Sequence, residues 1–537
     1  MMGSSFSNKS TQRAPKFSEA DAAKFLKRGY DFLKVHKFQD AGACCGLVLK
    51  YMPQAKEVHF LVGLIGIETK DWATARQAFK NVVGLDEHHA AAWAQLSRTF
   101  MAMGQYSNAE VAVEKATDLQ PNDPLVQDVI GTVYSLLGDQ KTALRWFDMA
   151  CENSTSAAFE LSRAKSLTFL GKIPEAKTAL QAVIAERPAS AQAHWMLSRV
   201  EKAQNDEHIQ QMQLLAEKAE SNSSVLPFLH YAMGKECEDL EDWAGAFENY
   251  QLGAKARRNE VAFDEDAETK MFETLKTTYN KEWFAGKGGG LEDMSPIFVI
   301  GQPRTGTTLI ERIMTAHIDV QSAGELQQFG MAIKRLAGIS SPKAITPEII
   351  AKAATEIDPA QLAQLYMDTT ASVRPDSPRF VDKLPVNYLY APLIAAAFPN
   401  AKIIHVVRGA MDSCFSSYKQ LFADAYYHSY DQEEMARHHL RYRDLMDHWR
   451  AVLGPRMLDV QYEDVVADLE PNARKIIAHL GLKWQDACLD FHNQTSAVTT
   501  ASAVQVREKA HSKSVGRWKK FEDYLGPMKK VVEGEGL

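Results

Sequence analysis

The chain has 537 residues, which is enough for three or four domains rather than one compact core. Its 61 basic and 68 acidic residues give a net charge of −7, which argues against nonspecific binding to nucleic acid or to acidic membranes. The N-terminus is polar without an apolar stretch, and no segment approaches about eighteen continuous apolar residues, so we expect neither secretion nor a membrane span. The six cysteines lack metal-ligand spacing, so we expect a cytoplasmic protein with reduced thiols.

Residues 1–16 predict a disordered N-terminus, and a helical repeat follows over residues 17–263. Ala41, Ala75, Ala109 and Ala143 recur every 34 residues, and the pattern weakens near 200–230 before it resumes. A period of 34 residues with a small residue between paired helices predicts a tetratricopeptide-repeat α-solenoid. Such arrays commonly bind a protein or peptide, so we expect the repeats to dock a substrate or partner. Oligomerisation or pure scaffolding stays open as an alternative.

Residues 264–295 begin with a helical pattern that is broken by three consecutive glycines, Gly288 to Gly290, and they predict a linker. From residue 296 to the C-terminus at 537, short apolar runs alternate with helical stretches. This alternation predicts a second domain of the α/β class with a largely parallel sheet. The whole chain is therefore expected to combine an α-solenoid with a P-loop-like α/β domain.

The segment IFVIGQPRTGTTLIERIM, residues 297–314, predicts a strand, a phosphate-binding loop and a helix. Gly301 and Gly306 have the spacing of a P-loop, but Thr307 stands where that loop has its lysine. Backbone N–H groups and a helix N-terminus would hold an anion here. Side-chain donors would come from Arg304, Thr305, Thr307 and Thr308. Because the lysine is absent, ATP–Mg²⁺ chemistry is disfavoured.

This loop resembles the 5′-phosphosulfate loop of sulfotransferases. The segment AKIIHVVRGAMDSCFSSYKQ resembles their 3′-phosphate motif, with Arg408 after a strand and Ser416 eight residues later. The resemblance is strongest to the protein-tyrosine sulfotransferases, and the order of domains is similar to the bacterial tetratricopeptide-repeat sulfotransferases. It implies that 3′-phosphoadenosine 5′-phosphosulfate is the sulfuryl donor and that no metal is required.

The resemblance also implies roles for single residues. Arg304 would contact the sulfuryl group, Glu325 would be the general base, and Lys383 and Ser502 would stabilise the charge that develops. The implied donor-binding residues are Arg304, Thr305, Gly306, Thr307, Thr308, Arg408, Ser416, Tyr462 (at adenine), Arg517 and Trp518. One position departs from the family pattern, because Gln420 stands where a second basic residue is expected. Lys419 or the basic run 507–520 would then take over its contact.

His438, His439 and His448 lie on a predicted helix and are interpreted as a solvated or substrate-facing surface rather than a metal site. The leading functional hypothesis is a sulfotransferase whose hydroxyl acceptor is a protein tyrosine, a carbohydrate or a small phenol. A P-loop kinase and a scaffold with an inactive nucleotide-binding domain are the alternatives. The oligomeric state is left open.

Overall fold

The computed structural model describes residues 17–221, 223–339, 345–422, 425–494, 496–499 and 504–534. The predicted disordered segment 1–16 and the predicted catalytic residue Ser502 lie outside the described residues. The chain divides into two compact units, one that ends at Val133 and one that begins at Tyr134. In the described parts of the chain, no helix is long and apolar enough to cross a membrane.

The first unit consists of helical hairpins. Its helices are α1 (Glu19–Lys34), α2 (Phe38–Tyr51), α3 (Lys56–Glu68), α4 (Trp72–Leu85), α5 (Ala90–Ala102), α6 (Tyr106–Asp118) and α7 (Pro124–Leu136), the last of which continues past Val133. The repeated alanines Ala41, Ala75 and Ala109 are completely buried, which confirms their predicted place between packed helices. Gly104 ends one hairpin turn with a φ of 68°, a backbone conformation that favours glycine.

The second unit begins with further repeats. Its next helices are α8 (Gln140–Asn153), α9 (Ala157–Phe169), α10 (Ile173–Glu186), α11 (Ala191–Val200), α12 (Glu207–Lys218), α13 (Leu226–Asp239) and α14 (Trp243–Glu260). Asp139 and Asp242 cap α8 and α14 by accepting hydrogen bonds from backbone N–H groups in the first turn. The weak part of the repeat pattern corresponds to the short α11 and to α12.

Two helices, α15 (Glu265–Thr278) and α16 (Lys281–Ala285), lie within the segment predicted as a linker. Phe272 and Leu275 of α15 and the following Tyr279 are buried in the same core cluster as strand residue Phe298. This stretch therefore contributes to the core of the sheet domain.

The sheet has five parallel strands in the order β2-β3-β1-β4-β5. They are β1 (Pro296–Gly301), β2 (Val320–Gly324), β3 (Arg379–Asp382), β4 (Lys402–Val407) and β5 (Met457–Gln461). The helices of this domain are α17 (Thr307–Thr315), α18 (Gln328–Leu336), α19 (Pro347–Glu356), α20 (Pro359–Thr370), α21 (Ala391–Ala397), α22 (Ala410–Tyr418), α23 (Gln432–Leu453), α24 (Tyr462–Ala467), α25 (Leu469–His479) and α26 (Gly526–Gly534). The predicted α/β class with a parallel sheet is confirmed.

Both faces of the sheet are covered, as parallel sheets require. Phe298 and Ile300 of β1 belong to one core cluster, while Ile297 and Val299 belong to another. A further cluster joins the last repeat hairpin, α13–α14, to α22 and α26. The end of the repeat array and the sheet domain therefore share a hydrophobic core.

Candidate active site

Five of the predicted site residues follow the five strands of the sheet. Glu325, Lys383, Arg408 and Tyr462 come directly after β2, β3, β4 and β5, and Arg304 comes three residues after β1. Because all strands are parallel, their carboxyl ends form one edge, where ligands of such sheets bind. Along that edge the order is Glu325, Lys383, Arg304, Arg408 and Tyr462.

The phosphate-binding loop has the backbone that an anion site needs. Arg304 and Gly306 both adopt left-handed conformations, with φ of 67° and 98°. Loops of this kind turn successive N–H groups toward one concavity, and α17 begins at the next residue, Thr307. A Cβ atom on Gly306 would lie 2.3 Å from a ring carbon of Tyr462, so only glycine fits here. Thr305 donates its hydroxyl hydrogen bond to the carbonyl of Gln302, 2.8 Å away.

The predicted hydroxyl donors Thr307 and Thr308 are buried at the start of α17. Helix α22 is held against the loop by two serines that flank the predicted Ser416. Ser413 donates to the Gln302 side chain at 3.0 Å, and Ser417 donates to the Pro303 carbonyl at 3.3 Å. Ser416 itself is half-buried.

Arg408, at the β4–β5 end of the edge, contacts two main-chain carbonyls and one aromatic ring. Its Nη1 donates to the Arg304 carbonyl at 2.8 Å and its Nη2 to the Ser514 carbonyl at 2.6 Å. The guanidinium carbon lies 5.0 Å from the centre of the Tyr462 ring, and the Tyr462 hydroxyl is 2.8 Å from the Ser514 hydroxyl. Arg408 therefore fixes both the loop and the ring that the resemblance assigns to adenine.

The loop is strongly electropositive. Burial, together with the guanidinium groups of Arg199 and Arg408, lowers the pKa of Arg304 to about 10. Arg199 belongs to the repeat helix α11, so a repeat contributes positive charge to the surroundings of this loop.

Glu325 and Lys383 meet at the other end of the edge. The Lys383 ammonium donates a hydrogen bond to the Glu325 carboxylate and is 1% exposed, whereas the Glu325 side chain is 40% exposed. Burial opposes the charge of Lys383, but the carboxylates of Glu325 and Glu311 outweigh it and raise the Lys383 pKa. The pair thus combines a buried ammonium, whose charged form the neighbouring carboxylates favour, with a carboxylate that is partly exposed to solvent.

Asp382 is a neighbour that sequence reasoning missed. Its buried carboxylate accepts hydrogen bonds from the Tyr366 hydroxyl at 2.9 Å and from the Leu326 backbone N–H at 3.3 Å. Burial raises its pKa to about 7. Asp382 ties the loop that carries Glu325 to the end of β3, and its only sequence signal was its position before Lys383.

Arg517 and Trp518 lie in a 3-10 helix, Arg517–Tyr524, near the C-terminus. Arg517 donates to the carboxylate of Glu238 on α13 at 2.5 Å, and Lys419 donates to the same carboxylate at 2.7 and 2.9 Å. Two of the candidates to replace the basic residue missing at Gln420 thus bind the same repeat carboxylate: Lys419, and Arg517 from the basic run 507–520. The half-buried Trp518 packs against the shared core.

The interpretation of the helix α23 histidines as a solvated surface is wrong for two of them. His438 and His439 are 3% and 2% exposed. His438 Nδ1 is 3.0 Å from the Glu268 carboxylate, and His439 Nδ1 is 2.6 Å from the Gln302 side-chain oxygen. Glu268 lies 170 positions earlier in the chain, so local spacing could not reveal this contact.

Glu268, His428 and His438 place one possible ligand atom each within 4.8 Å of one another. The two imidazole rings stack in parallel with centroids 3.5 Å apart, so their nitrogen lone pairs do not converge. Arg441 also donates to Glu268 at 2.6 Å. The cluster is therefore best described as a hydrogen-bonded network that joins α15 to α23 and to the 3-10 helix Tyr427–Tyr430.

Comparison with known proteins identifies the families that the repeats and the sheet domain match. Residues 296–486 match the model of the sulfotransferase family, and residues 67–131 and 161–206 match tetratricopeptide-repeat models. The chain joins tetratricopeptide repeats to a sulfotransferase-family domain. The resemblance inferred from the two phosphate motifs is confirmed.

Three relatives illustrate the range of similarity. An uncharacterized protein of Aquifex aeolicus (strain VF5) is 29% identical over 382 residues, which cover 68% of this chain and 49% of the relative. The protein-tyrosine sulfotransferase of Drosophila melanogaster is 27% identical over 236 residues, 42% of this chain and 47% of that protein. A putative protein-tyrosine sulfotransferase of Caenorhabditis briggsae is 26% identical over 232 residues, 41% of this chain and 80% of that protein. The chain spans about half the length of the first two.

Proposed function

We propose that the protein transfers a sulfuryl group from 3′-phosphoadenosine 5′-phosphosulfate to a hydroxyl acceptor. The observation that supports this most directly is the order of side chains along the sheet edge. A carboxylate–ammonium pair stands at one end, an anion loop without the P-loop lysine in the middle, and an arginine with an aromatic ring at the other end. That order matches a ligand with a reacting anionic group, a second phosphate and a base.

The residues fit such a donor. The left-handed loop with its buried threonines would hold the 5′-phosphosulfate, and Arg408 with Ser416 would hold the 3′-phosphate. Tyr462, already packed against Gly306 and Arg408, would offer its free face to adenine. When bound, the donor supplies an activated sulfuryl group with a phosphate leaving group.

The chemical step would then depend on three side chains. Glu325 would accept the proton of the acceptor hydroxyl as its oxygen bonds to sulfur. Lys383 and Arg304, both cationic, would stabilise the negative charge on the bridging and sulfuryl oxygens as the sulfur–oxygen bond to the donor breaks. Because Lys383 already binds the Glu325 carboxylate, acid–base and electrostatic groups are held side by side before the acceptor arrives.

We propose tyrosine in a protein as the first acceptor to test, with the repeats docking the protein that carries it. The names of the Drosophila and Caenorhabditis relatives and the presence of repeats support this choice. All six cysteines are free thiols in the structure. This supports the reducing, cytoplasmic compartment that the sequence predicts.

The test is binding of adenosine 3′,5′-bisphosphate, the product of the donor. In the absence of added metal, it should raise the melting temperature, because ligand at 100 times its Kd stabilises by about 2.7 kcal/mol. Incubation with labelled donor and a tyrosine-containing protein should then label that protein. A melting shift with ATP–Mg²⁺ and none with the bisphosphate would favour the kinase alternative instead.

A further inference from the structure

The carboxylate of Glu238 lies between two cations of the sulfotransferase domain. Lys419, at the end of α22, and Arg517, in the C-terminal 3-10 helix, donate to it at 2.5–2.9 Å. Tyr250 on α14 donates its hydroxyl to Oε2 of the same carboxylate at 2.8 Å, an oxygen that Lys419 also contacts. Glu238 is 7% exposed, so this is a buried cluster built from the last repeat hairpin and two segments of the catalytic domain.

The cluster is rigidly supported. Tyr231 and Phe247 of the repeat hairpin share a core with Phe415 of α22 and Phe521 of the 3-10 helix. The Tyr231 hydroxyl also donates to the carbonyl of Tyr418, the residue before Lys419, at 3.0 Å. Position 419 is therefore fixed by the repeat from both the backbone and the side chain.

The two cations belong to the segments that the sequence assigns to donor binding. Lys419 lies within the segment that resembles the 3′-phosphate motif, three residues after Ser416, and Arg517 is one of the residues implied to bind the donor. Ser417, two residues before Lys419, donates to the Pro303 carbonyl of the loop at 3.3 Å, and burial together with the guanidinium groups of Arg517 and Arg304 lowers the pKa of Lys419. A positively charged subsite next to the phosphate-binding loop thus has a repeat carboxylate as its counter-ion.

We propose that Glu238 is a positioning residue for the sulfuryl donor, which holds Lys419 and Arg517 in the geometry that binds the donor phosphate. A tetratricopeptide repeat therefore forms part of the donor site, in addition to any role in docking an acceptor. This assignment rests on the proposed function.

Removing the Glu238 carboxylate has two opposing effects on donor affinity. It adds positive charge, which strengthens the binding of a phosphate, and it removes the group that holds the cations in place. Burial lowers the pKa of Lys419, and Glu238 opposes that effect. Loss of the carboxylate therefore disfavours the charged form of Lys419, which counteracts the positive charge that the cluster gains. What is lost is the fixed position of both cations. Weaker donor binding is the result.

The experiment is calorimetric titration of the full chain with adenosine 3′,5′-bisphosphate. Glu238→Gln should raise its Kd about ten- to a hundredfold, the cost of a charge-assisted contact, while kcat at saturating donor changes less than about twofold. Glu236→Gln is the matched control. Glu236 is on the same helix and 4% exposed, but it pairs with His208 and not with the donor cations. Its Kd should equal that of the wild type.

Tyr250→Phe provides a gentler variant in case Glu238→Gln does not fold. It removes only the hydroxyl that orients Glu238, and it should raise the Kd about two- to tenfold. An unchanged or smaller Kd in the folded variants would overturn the assignment, and a smaller one would show that Glu238 competes with the donor for the same cations. If the wild type does not bind the nucleotide, the proposed function fails and this assignment with it. Wild-type binding with unaffected variants removes this assignment alone.

Discussion

The two ends of the strand edge are built in different ways. At the β2–β3 end, charged side chains bond to one another, as Lys383 does to Glu325. At the β4–β5 end, the charged side chain bonds to the main chain, because Arg408 donates to the carbonyls of Arg304 and Ser514. Contacts to backbone carbonyls keep a cation in one place, whereas a pair of side chains can exchange partners and protons. We infer that the first end performs chemistry and the second end holds the nucleotide.

The largest effect should come from Glu325→Gln. The amide keeps the size of the side chain but cannot take a proton, so turnover should fall about a hundred- to ten-thousandfold. Binding of adenosine 3′,5′-bisphosphate and the melting temperature should stay near those of the wild type. Glu470→Gln, in an exposed ion pair with Arg474, is the control and should turn over normally. A wild-type rate for the Glu325 variant would remove this residue from the mechanism.

Arg408→Ala should weaken binding of the bisphosphate more than it slows turnover, the reverse of the effect expected for Glu325→Gln. Loss of a charge-assisted contact to the phosphate should raise the Kd for the bisphosphate about ten- to a hundredfold, with a smaller change in kcat at saturating donor. Arg474→Ala removes an exposed arginine of α25 that is not among the predicted site residues and pairs with Glu470 of the same helix, so it serves as the control. If Arg408→Ala lowers kcat and leaves the Kd unchanged, the division of labour between the two ends is wrong.

Tyr462→Phe, also at the β4–β5 end, should raise the Kd for the bisphosphate less than Arg408→Ala does. It keeps the ring that packs on Gly306 and loses only the hydroxyl contact to Ser514. One neutral hydrogen bond contributes about 0.5–1.5 kcal/mol, so the Kd should rise about two- to tenfold. The measurement is the same titration, and a change as large as that of Arg408→Ala would show that the hydroxyl orders the whole region.

Asp382→Asn should reveal a pH-dependent contribution to stability at the chemical end. The Asp382 pKa is about 7 in the folded protein and 3.8 in the reference state, so the folded protein binds the extra proton between those values. Its contribution to stability is complete below about pH 4 and is lost as the pH rises through about 7. The melting temperature of the wild type should therefore fall more between pH 5 and pH 8 than that of the variant, by on the order of a few degrees. Parallel changes in both proteins would contradict the shifted pKa.

Local sequence was sufficient for the parts of the site that a strand and its following loop define. Gly306, Arg304 and Arg408 were identifiable because strand, turn and helix signals surround them within a few positions. Glu238 was not, because its partner Lys419 lies 181 positions away and an acidic residue on a repeat helix carries no signal of its own. The glycine-rich stretch at 288–290 predicted a linker, yet Phe272 and Tyr279 just before it are buried in the sheet domain. Whether a helix such as α15 is buried depends on which distant elements pack against it, and a local sequence pattern does not determine those contacts.

The hydrophobic cluster that α13 and α14 share with α22 and α26 limits where the repeats of this chain can be exchanged for those of another. Exchange of a whole repeat array at the glycines before β1 would cut this cluster and separate Tyr231 from Tyr418. An exchange in the turn between α6 and α7, within the first compact unit, keeps each helix whole and leaves the cluster intact. Early repeats are thus free to diverge with new partners, whereas the last hairpin is expected to be inherited together with the sulfotransferase domain.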